Sequence, residues 1–259
     1  MTLFLCSCNN NVPGKDGKAK HTITIAGSTS VMPFTEKLVE HFTVDHPNFV
    51  IDVQGGGSTA GIQAVINNTV NIGMSSRELN EKEKTLNTIT ICHDGISIIL
   101  NPQNSIKDLT LQQVRDIYHG AITNWKELGW IDRKIDAVTR EEGSGTRSAF
   151  EELVMKKKEI DDGIMVQDSN GSVKEVVATD PYAMGYISLG LIDERVKGLS
   201  VDGASPTTEN IKKGKYMIVR PFLFLLKGVP GEKTQSFIDF VLSKEGQTIL
   251  KKEGLIDIL

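Results

Sequence analysis

Cysteine is scarce in this chain: there are three in 259 residues, at Cys6, Cys8 and Cys92. That is too few for a disulfide framework, and no pair has zinc-ligand spacing with a histidine. The five histidines, His21, His41, His46, His93 and His119, are scattered. The adjacent Cys92-His93 make two ligands at most, and ordinary strand packing accounts for them. No apolar run reaches the ~18 residues that a transmembrane helix needs. Positive charge is not in excess, since 29 Lys and Arg against 33 Asp and Glu leave a net charge of −4. This argues against a nucleic-acid partner, which would want a basic face. No repeat of solenoid period and no internal low-complexity segment is present. Several catalytic signatures are missing as well. Gly143-Ser144-Gly145 lacks the Gly-x-Ser-x-Gly of a nucleophile turn, and no histidine can be tied to Ser144 as a base. The Gly-Lys-Ser/Thr of a P-loop is absent, as is the His/Asp cluster of a metal-dependent phosphatase. The chain is therefore expected to be a binding protein, not an enzyme, and to need no cofactor or metal.

What the chain does have is three short turns rich in glycine and hydroxyls. They are Gly27-Ser28-Thr29-Ser30, Gly55-Gly56-Gly57-Ser58-Thr59 and Arg140-Glu141-Glu142-Gly143-Ser144-Gly145-Thr146. Each falls where a strand hands over to a helix. A helix N-terminus carries unpaired N–H groups and a partial positive charge, so it seats an anion. Small residues let the backbone approach, and hydroxyls add donors. Any one such turn is as readily a plain connection. Three of them, one beginning with Arg140, point to a compact oxyanion gripped from several sides. With an acidic chain, that grip must come from local dipoles and one or two cations.

The pattern between the turns alternates strand and helix. Thr22–Ala26 reads as a strand, followed by a helix through Val31, Phe34, Leu38 and Phe42 with Pro33 near its start. Phe49, Ile51 and Val53 alternate as a second strand; Ile62, Val65 and Ile66 mark a helix from about Thr59; Val70–Met74 is a third strand. Ile96–Leu100 is an apolar strand that stops at Asn101-Pro102 and is taken as the first crossing to a second lobe. There, a helix over Leu111–Tyr118, a strand over Ile135–Thr139, a helix over Thr146–Lys158, a helix capped by Ser172 and a strand over Ala183–Leu189 follow. Phe222–Leu226 is the strand that crosses back, before a helix ending near Gly246 and a short last one. Trp125 and Trp130 are read as core, and Arg77 and Arg147 as structural. The fold expected is α/β, with two lobes and a ligand cleft between them. Residues 22–100 and 222–259 form lobe I and residues 101–221 lobe II.

Residues 1–21 stand apart. Leu3-Phe4-Leu5-Cys6-Ser7-Cys8 resembles the end of a bacterial lipoprotein export signal, with Leu5 at −3, Ser7 at −1 and Cys8 as the acceptor. Cys6 is a poorer acceptor because bulky Leu5 precedes it. The polar, Gly/Lys/Asn-rich stretch to Lys20 suits a tether. An extracytoplasmic protein held to the membrane by lipid at Cys8 is expected.

Five motifs carry a family resemblance. Ala26–Pro33 (AGSTSVMP), Gln54–Ile62 (QGGGSTAGI), Ile72–Leu79 (IGMSSREL), Thr139–Phe150 (TREEGSGTRSAF) and Thr179–Ile187 (TDPYAMGYI) resemble, in order, the phosphate-binding lipoproteins of bacterial phosphate ABC transporters. The likeness runs from Ile23 to the C-terminus. It implies a two-lobed periplasmic-binding-protein fold of the Venus-flytrap, type II, kind. It also implies inorganic phosphate as ligand and a membrane permease with ATPase subunits as partners; the protein itself is expected to be a monomer. By position it implies phosphate contacts from Thr29, Ser30 and the Val31 N–H, from Ser58, from Arg140, and from Ser144, Gly145 and Thr146. Many relatives have Asp where this chain has Ser76. In those relatives the carboxylate accepts a hydrogen bond from the phosphate's own proton and repels sulfate, which has none. With Ser76, another oxyanion such as sulfate stays open as the ligand, and Glu141 or Glu142 is either the missing acceptor or a brace for Arg140.

Overall fold

The computed structural model describes residues 20–156 and 158–259; the lipidation site expected at Cys8, and the tether up to Ala19, lie outside them. The chain opens with two β-turn-α units. Strand β1 (His21–Gly27) leads to α1 (Met32–Asp45), and β2 (Phe49–Gly55) leads to α2 (Ser58–Ile66) and then β3 (Ile72–Ser75). Strand β4 (Asn87–Leu100) is long and runs out of this lobe. The second lobe holds β5 (Asp108–Leu109), α3 (Leu111–Tyr118), β6 (Asp136–Arg140), α4 (Gly145–Phe150), β7 (Met165–Gln167), α5 (Asn170–Thr179) and β8 (Ala183–Ser188). It ends with the short β9 (Lys197–Gly198), β10 (Ser200–Val201) and α6 (Thr208–Lys212). Strand β11 (Val219–Leu226) returns to the first lobe, which α7 (Glu232–Leu242) and α8 (Lys244–Lys252) complete.

The main sheet runs β2-β1-β3-β11-β4-β8-β6-β7, with β9 added beside β4. Its two ends are parallel: β1 pairs with β2 and β3, and β6 pairs with β7 and β8. Only the middle is antiparallel, where β4 and β11 carry the chain between the lobes. Parallel strands need crossover helices, and those helices cover both faces of each end. Each lobe has its own core. Phe34, Leu38, Phe42, Phe222, Phe224 and Phe237 anchor one, and Trp125, Tyr118, Phe150 and Tyr186 anchor the other.

The lobe boundary differs from the one expected. Ile96–Leu100 pairs with β8, and Ile96, Ile98 and Leu100 pack into the second core. The first crossing therefore falls at Gly95-Ile96, five residues before Asn101-Pro102, and the return falls at Ile218-Val219. The two crossings touch, since the Ile96 N–H donates to the Ile218 carbonyl at 2.8 Å. The physical reason is that β4 is one unbroken strand, buried on both faces from Asp94 onward, with no turn to mark its change of lobe. Smaller shifts occur elsewhere. Ser169, not Ser172, caps α5, and Ser243 divides α7 from α8, which puts Gly246 inside the last helix. The helix begun at α4 relaxes into a π turn over Glu151–Met155 and stops at Lys156, whose φ of 58° no helix continues. Trp125 is fully buried, as expected of core.

Candidate functional site

The three turns meet where the two lobes face one another. The first lies between β1 and α1, the second between β2 and α2, and the third between β6 and α4. All sit at the carboxyl ends of parallel strands, where α/β sheets hold their ligands. Neither α1 nor α2 has a side-chain cap. By contrast, Ser144 caps α4, its Oγ accepting from the Thr146 and Arg147 N–H groups at 3.2 Å each.

Hydroxyls from the two lobes are in direct contact. Ser30 Oγ lies 2.8 Å from Thr146 Oγ1. Ser58 Oγ lies 3.4 Å from Ser76 Oγ and accepts from the Ser76 N–H at 3.1 Å. Ser28 Oγ donates to Ser76 Oγ at 2.8 Å. Ser28, Ser30, Ser58, Ser76, Ser144 and Thr146 are each at most 2% exposed. Backbones close in too: the Thr59 N–H donates to the Gly143 carbonyl at 3.2 Å across the lobes. Two glycines make this approach possible. Gly57 has φ +89°, and a Cβ on it would lie 2.9 Å from the Gly143 oxygen. A Cβ on Gly145 would lie 2.1 Å from Ser58 Oγ and 2.6 Å from Ser76 Oγ.

Arg140 ends β6 and is 1% exposed. Its Nε and Nη2 donate to the two oxygens of Glu141 at 3.0 Å each, and Nη2 also donates to the Asp168 carbonyl at 3.0 Å. Nη2 further reaches Thr29 Oγ1 of the opposite lobe at 3.2 Å. Its Nη1 has no partner. Among the described residues just two buried side-chain polar atoms lack one, Arg140 Nη1 and Asn104 Nδ2. An unpaired buried guanidinium N–H costs about 1–3 kcal/mol or more. Placed beside a cluster of hydroxyls, it is a donor set for an anion. Glu141 commits both oxygens to Arg140 and so braces the cation instead of offering an acceptor, while Glu142 is exposed.

The structure brings Thr29, Ser30, Ser58, Ser76, Arg140, Gly145 and Thr146 together. Val31 lies at the same turn, with its side chain in the first core and its N–H donating to the Ser28 carbonyl at 3.1 Å. The Ser144 side chain turns back on its own helix as the cap. Arg77 and Arg147 are structural: Arg77 is bidentate to Glu83 at 2.8 and 2.9 Å, and Arg147 holds Glu151 and the Arg140 carbonyl.

Four participants escape sequence reasoning. Asn170, first residue of α5, donates to Ser30 Oγ at 2.9 Å and accepts from the Ser188 N–H at 3.2 Å. Ser188, Asp94 and Arg220 form a buried chain behind Thr146. The signal for the last pair was an acid and a base of opposite sign, each within an apolar strand. Among the described residues, no group of three or more His, Cys, Asp or Glu is placed to hold a metal ion.

Comparison with known proteins gives a consistent picture. Residues 14–245 match the model of the PBP superfamily domain. The phosphate-binding protein PstS of Bacillus subtilis is 33% identical over 256 residues, covering 96% of this chain and 85% of that protein. PstS of Borreliella burgdorferi is 30% identical and covers 99% of this chain and 95% of its own. Among solved structures, a phosphate ABC transporter substrate-binding protein from Clostridium perfringens, with bound phosphate, superposes with a TM-score of 0.90. It is 43% identical and covers 92% of this chain and 100% of its own. An ABC-type phosphate transport receptor from Vibrio cholerae gives a TM-score of 0.74 at 39% identity, covering 91% of this chain and 99% of its own.

Proposed function

The chain belongs to the PBP superfamily, among the phosphate-binding proteins called PstS, and on that premise we propose that it captures inorganic phosphate and hands it to an ABC importer. The observation that carries the reading is the Arg140 guanidinium: buried, braced by Glu141, touching Thr29 across the lobes, and left with one nitrogen unpaired. Phosphate is held by Arg140, by the hydroxyls of Thr29, Ser30, Ser58, Ser76, Ser144 and Thr146, and by the Gly145 N–H; the Val31 N–H joins them only by leaving the Ser28 carbonyl. These come from both lobes, so the ion is gripped only when the lobes close. Closure excludes water, and each charge-assisted bond is stronger in the drier site. The closed form is what the permease and its ATPase subunits recognise, and the open form releases the ion. The protein works outside the cytoplasm as a monomer, anchored by lipid at Cys8, and binds without turning its ligand over.

Sulfate is the second reading, and one observation favours it. The carboxylates nearest the cluster are engaged, Glu141 by Arg140 and Asp94 by Arg220, so no free acceptor is set against a proton-less anion. Calorimetric titration of the phosphate-stripped protein, repeated in excess sulfate, tests both. Tight one-to-one phosphate binding that sulfate leaves undisturbed supports the proposal. Tighter sulfate binding would change the ligand and keep the site.

A further inference from the structure

Two charged residues outside the three turns stand at the crossing between the lobes. Asp94 on β4 and Arg220 on β11 are directly opposite each other in the ladder, 0% and 2% exposed. Arg220 Nε and Nη2 donate to Asp94 Oδ2 at 3.0 and 2.9 Å, while Asp94 Oδ1 accepts from Ser188 Oγ at 2.8 Å. The remaining nitrogen, Nη1, donates to Thr146 Oγ1 at 2.8 Å and reaches the Ser76 carbonyl at 3.4 Å. One guanidinium therefore touches a site residue from each lobe. A buried ion pair is weak evidence for stability, because desolvation offsets much of the attraction. Its contacts with the site call for a different explanation.

The hydroxyls around it each accept a hydrogen bond. An oxygen that accepts a hydrogen bond from behind is biased to point its own proton forward. Thr146 Oγ1 accepts from Arg220, Ser30 Oγ from Asn170, Thr29 Oγ1 from Arg140, Ser58 Oγ from the Ser76 N–H, and Ser76 Oγ from Ser28. Each has an acceptor position filled, which leaves its proton to point at the ligand or, between Ser30 and Thr146 and between Ser58 and Ser76, at the partner hydroxyl. The ligand that suits this arrangement carries as many bare oxygens and as much negative charge as possible.

We propose that Arg220, clamped by Asp94, is a positioning and specificity-determining residue of the oxyanion site. It fills the acceptor position of the Thr146 hydroxyl and turns the positive Nη1 edge of the Asp94–Arg220 pair toward the site, so that the doubly charged form of phosphate is preferred over the singly charged one. The inference rests on the phosphate reading above. The groups facing the pair are Arg140, Tyr186, Cys92 and Tyr216. Burial pushes the Tyr186 hydroxyl up to about 12 and the Cys92 thiol and the Tyr216 hydroxyl well above their ordinary values. All three are neutral between pH 6 and pH 8. His93, the residue before Asp94, is exposed. Burial pushes the Asp94 carboxyl up against the pull of the Arg220 guanidinium, and the phosphate itself titrates over the same interval.

The test is titration of phosphate into the wild-type protein at pH 6 and pH 8. Heat at either pH decides whether the site takes phosphate at all. Affinity that rises several-fold toward pH 8 is expected, and binding that is tight but equal at both overturns the inference while leaving the phosphate reading intact. The variant Asp94→Asn/Arg220→Gln removes both charges and keeps polar side chains of similar size. It is expected to lose at least tenfold at pH 8 and to respond less to pH. Affinity within twofold of wild type, or an equal loss at both pH values, overturns the assignment. Arg220→Lys, which keeps the charge and the contact with Asp94, covers the case in which the double variant does not fold. It is expected to bind more weakly yet keep the preference for pH 8; a flat response contradicts the charge role. Finally, Thr146→Val and the Arg220 change should not add, because one acts through the other. Full additivity would separate Arg220 from Thr146.

Discussion

At the scale of single residues, the site depends on Arg140 and on the absence of a side chain at Gly145. Arg140→Ala removes a buried charged contact, and phosphate affinity is expected to fall by about 2–5 kcal/mol, read by calorimetry. Affinity within twofold of wild type would place the site elsewhere. Gly145→Ala sets a Cβ 2.1 Å from Ser58 Oγ, inside any tolerable contact. Each lobe keeps its own core, so the expected outcome is lost phosphate binding with a nearly unchanged melting temperature. These residues were legible because each lies in a short local motif, with glycine, hydroxyl and cation within seven positions. Asp94, Arg220 and Asn170 were not. Asp94 and Arg220 meet only through the register of two strands 126 residues apart, and Asn170 reaches Ser30 across 140. Nothing local in the sequence carries that information.

At the scale of elements, most of the β-turn-α rhythm was readable, because amphipathic helices and alternating strands show their period. Helix α3 falls on Leu111–Tyr118 as expected, closed at its start by a capping box of Thr110 and Gln113. Strand β4 was read only in its last five residues. Its first half, from Asn87, alternates polar and apolar and is part exposed, while its second half is continuously buried, so one strand presents two patterns. The segment after β3, which carries Ser76, is held by the bidentate Arg77–Glu83 pair, and Glu83 is 6% exposed. The Arg77 guanidinium holds the Glu83 carboxyl below its usual value. A depressed carboxylate adds stability that is complete above about 4.5 and is lost as pH falls through the lower folded value. Glu83→Gln is therefore expected to cost about 1.5–3 kcal/mol at pH 7. It should cost much less at pH 3, as thermal melts at the two values would show. An equal cost at both would mean that the ion pair contributes nothing.

At the scale of the whole molecule, two parallel half-sheets are joined by two antiparallel strands whose crossings touch. The proposed closure turns about that narrow waist, and contacts such as Ser30–Thr146, Thr29–Arg140 and Thr59–Gly143 tie the lobes together in this structure. The two-lobed plan was legible from the order of strands and turns. The place of the waist was not, because β4 passes through it without a break. Anchoring is a separate property of the chain: Cys8→Ser is expected to move the protein from the membrane fraction to the soluble one, and an unchanged distribution would exclude lipid at Cys8. The central claim is that phosphate sits between the lobes against Arg140 and the hydroxyls of the three turns. The most direct measurement is a crystal structure of the protein grown with phosphate. The account predicts tetrahedral density within hydrogen-bonding distance of Arg140 Nη1, Ser58 and Thr146, with both lobes in contact. Phosphate bound elsewhere, or a cleft that stays unliganded while phosphate saturates the protein, would contradict it.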